Sequence, residues 1–302
     1  MSYRLALSIA GIQFTISCRL PFLPESPKDP YRAFHRPAAR RPDPGIAVTI
    51  ATGRMPRLQG LEKVFEADDT WAMFRGRRGR VIRGPVRAAA PFWAAVISSD
   101  WRRVSLTVSP RLVKKEEGGA GLMNPFRYPL DQIVLTGALA QRQGVILHCC
   151  GAALKGRGLV CPARSGGGKT TLSRLLAGQG RFRVMSDDRM IVRKTAGALR
   201  CWGTPWPGAG GMALNESAPL EAVFFLVKGP RHRITRLAPA EAFQRLLPMA
   251  SVPWYDKETF PAVLSVCEEI TRRVPCRELQ FRPEADVAEL VARGVADLRP
   301  PT

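Results

Sequence analysis

Apolar and polar residues alternate with period two at the start of the chain. Leu5, Leu7 and Ile9, then Ile12, Phe14 and Ile16, give two strands that turn at Ala10-Gly11. Gln13, Thr15 and Ser17 interrupt the apolar run, so it reads as strands rather than as a secretory leader. Strand-like runs continue in "GIAVTIATG", "WAMFRGRRGRVI", "FWAAVIS" and "RRVSLTVS", separated by Gly, Pro and charge. Pro21 to Pro44 is rich in Pro and Arg and reads as a long loop. "KKEEGGAG", residues 114–121, has the composition of a linker. The pattern predicts a β-rich, basic N-terminal domain over 1–125.

The pattern changes over 126–302. "YPLDQIVLTGALAQRQG" fits a helix that begins after Pro129 and ends near Gly144. "VILHCCGAAL" and "GRGLVCPA" are continuous apolar runs, as strands buried on both faces require. They are joined by a tight turn at Lys155 to Gly158. A helix follows at Thr170 to Ala177, then strands in "RVMSDDRMIVRK" and "LRCWGTPW". "LEAVFFLVKG" and "HRITRLA" suggest a hairpin across Pro230-Arg231. Helices are expected at 239–248, 257–272 and 284–294, with the strand "RELQFRP" between the last two. This is a mixed α/β domain with no internal repeat.

Composition changes this picture little. The 302 residues are 45% hydrophobic, ordinary for a folded protein, and no apolar stretch is long enough to cross a bilayer. A cytoplasmic location is the default expectation. The seven cysteines form no C-x-x-C pair, which argues against zinc, and most lie in apolar runs as small buried hydrophobes. The formal charge of +21 comes from 37 Arg and 9 Lys against 25 acidic residues. Such a field attracts anionic partners. The densest basic runs, residues 36–41 and 75–87, read first as solvated charge that keeps strand edges soluble. No alternation of aromatic and basic residues marks a single-strand nucleic-acid platform, so nucleic acid is not the expected partner.

One stretch carries chemistry. "CPARSGGGKTTLSRLLAG", residues 161–178, places a glycine-rich turn between an apolar run and a helix. It follows the phosphate-loop pattern G-x-x-x-x-G-K-[ST] except for Ala163 at the first glycine position. Ser165, Gly166, Gly167, Gly168, Lys169, Thr170 and Thr171 are the candidate nucleotide-binding residues. Backbone N–H groups must turn inward around a phosphate, and a Cβ would block several of those conformations. The helix N-terminus adds partial positive charge. Lys169 supplies a point charge for the β- and γ-phosphates, and the Thr170 hydroxyl suits Mg²⁺.

Asp187 and Asp188 follow Lys169 by 18 and 19 residues, at the end of another apolar run. Adjacent strand residues point to opposite faces, so the two carboxylates can divide metal binding and hydroxyl activation. His148 precedes Lys169 by 21 residues; alone, it reads as a core histidine.

Together these residues resemble the HPr kinase/phosphorylase family. The order is His148, strand-turn-strand, S-G-x-G-K-[ST], helix, Asp-Asp. The resemblance spans about residues 127–228 and is most specific over 147–190. It implies an α/β P-loop kinase domain shaped like the phosphoenolpyruvate carboxykinases. It also implies ATP with Mg²⁺ and transfer to a serine hydroxyl. Lys169 and Thr170 match the phosphate and metal positions, and His148 matches the residue that supports the acidic pair. Asp187 is favoured as base and Asp188 as the second metal ligand. The family's E-x-R-G segment is missing, with "CWGTPWPGAGGMALNESAPL" in its place. Its loop with Trp202 and Trp206 reads equally as a substrate contact or as a turn on a core tryptophan. The chain looks more like divergent HPr-kinase-related proteins. Some of these are encoded beside peptide-modification systems and include kinases of lasso-peptide precursors. The expected activity is ATP-dependent phosphorylation of a serine or threonine of a peptide or small protein. A small-molecule kinase, or a non-catalytic nucleotide-binding module or nucleic-acid-associated ATPase, is the alternative. The resemblance also implies a homo-oligomer.

Overall fold

The computed structural model describes residues 2–36, 45–76, 79–86, 91–116 and 119–297. Most of the 36–41 basic run, and residues 77, 78 and 87 of the second, lie outside them. The chain divides into two units, Met1–Ala138 and Leu139–Thr302.

The N-terminal unit is built on one sheet. Its strands are β1 (Tyr3–Ile9), β2 (Ile12–Cys18), β3 (Ile46–Thr52), β4 (Glu62–Ala67), β5 (Trp71–Gly76), β6 (Gly79–Gly84), β7 (Trp93–Ser98) and β8 (Arg103–Val108). The order across the sheet is β1-β2-β3-β8-β7-β6-β5-β4. β2, β3 and β8 run parallel, and the other neighbours run antiparallel. β1 and β2 turn at Ala10-Gly11, both with positive φ, as a tight hairpin twisted with its strands requires.

Two expectations for this unit are corrected. The long loop contains a 3-10 turn, Pro30–Phe34, capped by Asp29, and it buries Tyr31 and Phe34. Its aromatic side chains outweigh its loop-like composition. The expected linker holds two paired strands, β9 (Val113–Glu116) and β10 (Gly119–Leu122).

α1 (Leu130–Ala140) spans the division between the units. Asp131 accepts from the Tyr31 hydroxyl at 2.7 Å. At Gly137 a Cβ would lie 2.2 Å from the fully buried Trp101 indole. Neither helix backbone nor ring can yield, so Gly137→Ala is expected to destabilise the fold by about 2 kcal/mol or more. Thermal unfolding checks this.

The C-terminal unit is organised by two long strands, β11 (Gly144–Leu154) and β16 (Ser217–Lys228). Between them come β12 (Arg157–Pro162), α2 (Lys169–Gly178), β13 (Phe182–Ser186), β14 (Arg189–Thr195) and β15 (Ala198–Trp202). After β16 come β17 (Arg233–Arg236), α3 (Pro239–Leu246), α4 (Phe260–Arg273), β18 (Cys276–Phe281) and α5 (Val287–Ala296). The first half of β11 pairs with β14, and its second half with β12 and β13. β16 pairs first with β15, then with β12 and β18 in parallel.

Alternation along these strands builds two cores. Leu159, Cys161, Ala222, Phe224 and Leu226 pack with α2 and α5. Val160, Val223 and Phe225 pack with α3 and α4. Helices on both faces explain the continuous apolar runs. All seven cysteines are buried, and burial pushes the thiols of Cys201, Cys267 and Cys276 up to about 12.

The β11–β12 turn carries positive φ at Lys155 and Gly156, as expected of a two-residue hairpin. The expected hairpin of β16 with β17 does not form. β18 lies between them, parallel to β16 and antiparallel to β17. β16 is apolar on both faces and needs a buried neighbour, which the exposed, Arg-flanked β17 cannot be.

Candidate active site

The glycine loop connects the C-terminal end of β12 to α2. Gly166 and Gly168 have φ of 75° and 99°, values that side chains resist. Gly167 N–H closes a turn on the Arg164 carbonyl at 3.0 Å. A Cβ on Gly167 would lie 2.7 Å from that of Ala163. The site therefore holds one Cβ of this facing pair, and it stands at 163 rather than 167. Ala163 is buried in the α2 core, which is how the departure from the usual glycine is accommodated. Lys169 is buried, and its Nζ donates to the Ala163 and Arg164 carbonyls at 3.1 and 3.2 Å. Ser165 and Gly166 are exposed at the crown of the loop; Thr170 is half-buried and Thr171 exposed.

The acidic pair follows β13, and its members have different surroundings. Asp187 is fully buried. Its Oδ1 accepts from the N–H groups of Gly208 and Met212 at 2.9 and 3.2 Å, and its Oδ2 from Gly210 N–H at 2.6 Å. The loop over 208–212 thus wraps the carboxylate in amide donors, which satisfies a buried charge. A Cβ on Gly210 would lie 2.5 Å from Asp187 Oδ2 and 3.3 Å from Thr170 Cγ2. Asp187 and the first turn of α2 therefore face each other across Gly210.

Asp188 points elsewhere. Its Oδ1 lies 3.0 Å from His148 Nε2 and its Oδ2 3.5 Å from Arg189 Nε. The contact is set by register, because His148 on β11 stands opposite Arg189 on β14. The His148 and Asp188 side chains are 30% and 27% exposed, so both are reachable from solvent. The His148 hydrogen bond, opposed by partial burial and aided by the charges of His148, Arg189 and Lys169, holds the Asp188 carboxyl below the usual carboxylate range. The site thus presents an amide-lined turn at a helix start, a lysine, a hydroxyl, a wrapped carboxylate and an open carboxylate–histidine pair. That set can bind an anion with a hard cation and remove a proton.

The sequence points to these side chains and to the glycine-rich 201–217 loop, but not to the wrapping of Asp187 by that loop's amides. The spacing of "GAGG" at 208–211 was the available signal. Trp202 and Trp206 are both buried, which favours the core reading for them, while the glycines after Trp206 reach the site. Arg183 forks onto Glu216, and Arg181 pairs with Glu289; of these flanking arginines, Arg189 contacts the acidic pair.

Gly210→Ala forces the loop off Asp187 and leaves a buried carboxylate short of a donor, at an expected cost of about 2 kcal/mol. Gly178→Ala, where a Cβ meets open space at the end of α2, is its control and is expected to leave thermal stability unchanged or slightly raised. His148→Ala is expected to raise the Asp188 pKa toward its ordinary value, because the largest cause of its lowering is removed. A group whose folded pKa is depressed adds stability above its unfolded pKa, near 3.9, and that stability is lost as pH falls through the folded value. Acid unfolding below about pH 4 should therefore be less steep in the variant. An NMR titration of Asp188 reads the shift directly.

Residues 130–276 match the model of a family described as SynChlorMet cassette protein ScmC. No curated protein matches the chain. Among solved structures, the Hpr(Ser) kinase/phosphatase from Coxiella burnetii is similar at 13% identity and a TM-score of 0.31, over 50% of this chain and 88% of that one. No helix among the described residues is long and apolar enough to cross a membrane.

Proposed function

We propose that the C-terminal unit binds ATP with Mg²⁺ and transfers the γ-phosphate to a serine or threonine hydroxyl of a peptide or small protein. The observation that carries this reading is that Asp187 lies beside the first turn of α2 at Gly210, while the adjacent Asp188 pairs with His148 and feels the charge of Lys169. The loop amides over 165–171 and Lys169 hold the phosphates, and the N-terminus of α2 adds its dipole.

The geometry favours exchanging the expected roles of the two carboxylates. Asp187 and the Thr170 methyl carbon both approach Gly210, which puts the carboxylate beside the first turn of α2, so Asp187 and the Thr170 hydroxyl are assigned to Mg²⁺. Asp187 Oδ2 accepts one N–H, and a carboxylate oxygen has two lone-pair directions, which leaves one for a cation. Bound Mg²⁺ would neutralise charge on the β- and γ-phosphates. Asp188, open and joined to His148, is assigned as the base. It accepts the hydroxyl proton as the oxygen attacks the γ-phosphorus and the bond from that phosphorus to the β–γ bridging oxygen breaks, releasing ADP, and His148 holds the receiving carboxylate in place. Lys169, now on the Ala163 and Arg164 carbonyls, turns its ammonium to the transferred oxygens.

The family description as a cassette protein accords with an acceptor encoded nearby. The high positive charge of the chain suits an acidic acceptor. Calorimetric titration with Mg²⁺·ATP tests the nucleotide half of the reading. Saturable binding is expected, and equal affinity in Lys169→Ala would refute it.

A further inference from the structure

We propose that the cleft beside the first corner of the glycine loop receives the purine base of the nucleotide, an inference that rests on the reading above. The cleft has a volume of about 330 Å³. It opens between Pro162 at the end of β12, Phe225 near the end of β16, and Gln244, Pro248 and Met249 from α3 and the turn after it. β12 and β16 run parallel, with Val160 opposite Val223, so the cleft lies at their carboxyl ends. Open α/β sheets take ligands there. Its size falls within the roughly 300–1,000 Å³ of small-molecule pockets.

Topology gives the direction. β12 has β11 on one side and β16 on the other. His148 stands on β11 and reaches Asp188. A nucleotide whose terminal phosphate faces Asp188 must lead its nucleoside away from β11, toward β16. The cleft is on that side and shares Ala163 and Arg164 with the loop itself.

Chemistry gives the occupant. Pro248 is exposed beside the largely buried Pro162, Phe225 and Met249, and the four form the apolar part of the lining on which a flat ring can lie. The exposed Gln244 amide both donates and accepts, as the edge of a purine requires. Arg245 also lines the cleft, but its guanidinium is bound to Glu278 and Glu241, both at 2.6 Å, and is not offered to an anion. Arg164, exposed at the corner shared with the loop, is the cation of this lining and lies toward the phosphate end, which leaves the apolar wall beyond it to a neutral ring.

Calorimetry of the full chain with Mg²⁺·ATP and with Mg²⁺·tripolyphosphate separates base from phosphate. The wild-type chain should bind ATP about tenfold more tightly than tripolyphosphate. Gln244→Trp changes an exposed helix position and blocks the cleft mouth. It should weaken ATP about tenfold and leave tripolyphosphate within about twofold. Met249→Ala, which removes part of the wall, should weaken ATP alone by a smaller factor. Unchanged ATP affinity in both variants, or equal weakening of both ligands, would overturn the base site while the phosphate site stands. Tripolyphosphate binding that is the same in wild type and Lys169→Ala would refute the phosphate site, and the base site with it.

Discussion

Asp188→Asn is expected to lower phosphotransfer about a thousandfold while Mg²⁺·ATP affinity changes by less than about threefold. The substitution keeps shape and can still accept from His148, but an amide oxygen cannot take the proton of an attacking hydroxyl. A positioned general base contributes roughly 10²–10⁴ in rate, which sets the size of the loss. Asp188 is suited to this by being partly open and hydrogen-bonded to His148 at 3.0 Å. Asp187→Asn should behave differently. It disturbs the amide wrap of Gly208, Gly210 and Met212 as well as the carboxylate facing Thr170, so nucleotide affinity and turnover fall together. Paired titration and turnover measurements on the two variants separate the roles. Loss of ATP affinity in Asp188→Asn, with Asp187→Asn defective in turnover alone, would restore the order expected from sequence.

Lys169→Ala is expected to weaken Mg²⁺·ATP by about ten- to a hundredfold, because a charge-assisted hydrogen bond contributes roughly 1.5–3 kcal/mol. Turnover should fall by a further factor of about 10², since in the proposed reaction the same ammonium would oppose charge that develops during transfer. The variant also loses the two contacts from Nζ to the Ala163 and Arg164 carbonyls, which join the ends of the loop. Lys169→Arg distinguishes charge from fit. It keeps the charge, but the larger planar guanidinium does not fit this buried position, so affinity should recover only in part.

Much of this site was legible in the sequence because its parts are local. The loop from Ser165 to Thr170 joins consecutive elements, and its glycines announce the turn. Asp187 and Asp188 fall after the next apolar run. What was not legible depends on contacts distant in sequence. By residue pattern alone His148 reads as a core histidine; the family resemblance joins it to the acidic pair, and β11–β14 register shows that its partner is Asp188. The wrap of Asp187 comes from amides about two dozen residues later, and backbone donors have no residue signature. The position of β18 between β16 and β17 escaped notice for a similar reason. Short apolar runs fix which strands are buried but not which strand lies beside which. The 114–121 segment was misread because Lys, Glu and Gly favour a linker by composition, whereas pairing across Val113–Leu122 satisfies the backbone of two short strands.

The most direct test uses ATP labelled in the γ-phosphate, Mg²⁺, and short peptides encoded beside this chain's gene. The account predicts label on a serine or threonine with the wild-type chain, and none above background with Lys169→Ala or Asp188→Asn. Equal labelling by Asp188→Asn would contradict it.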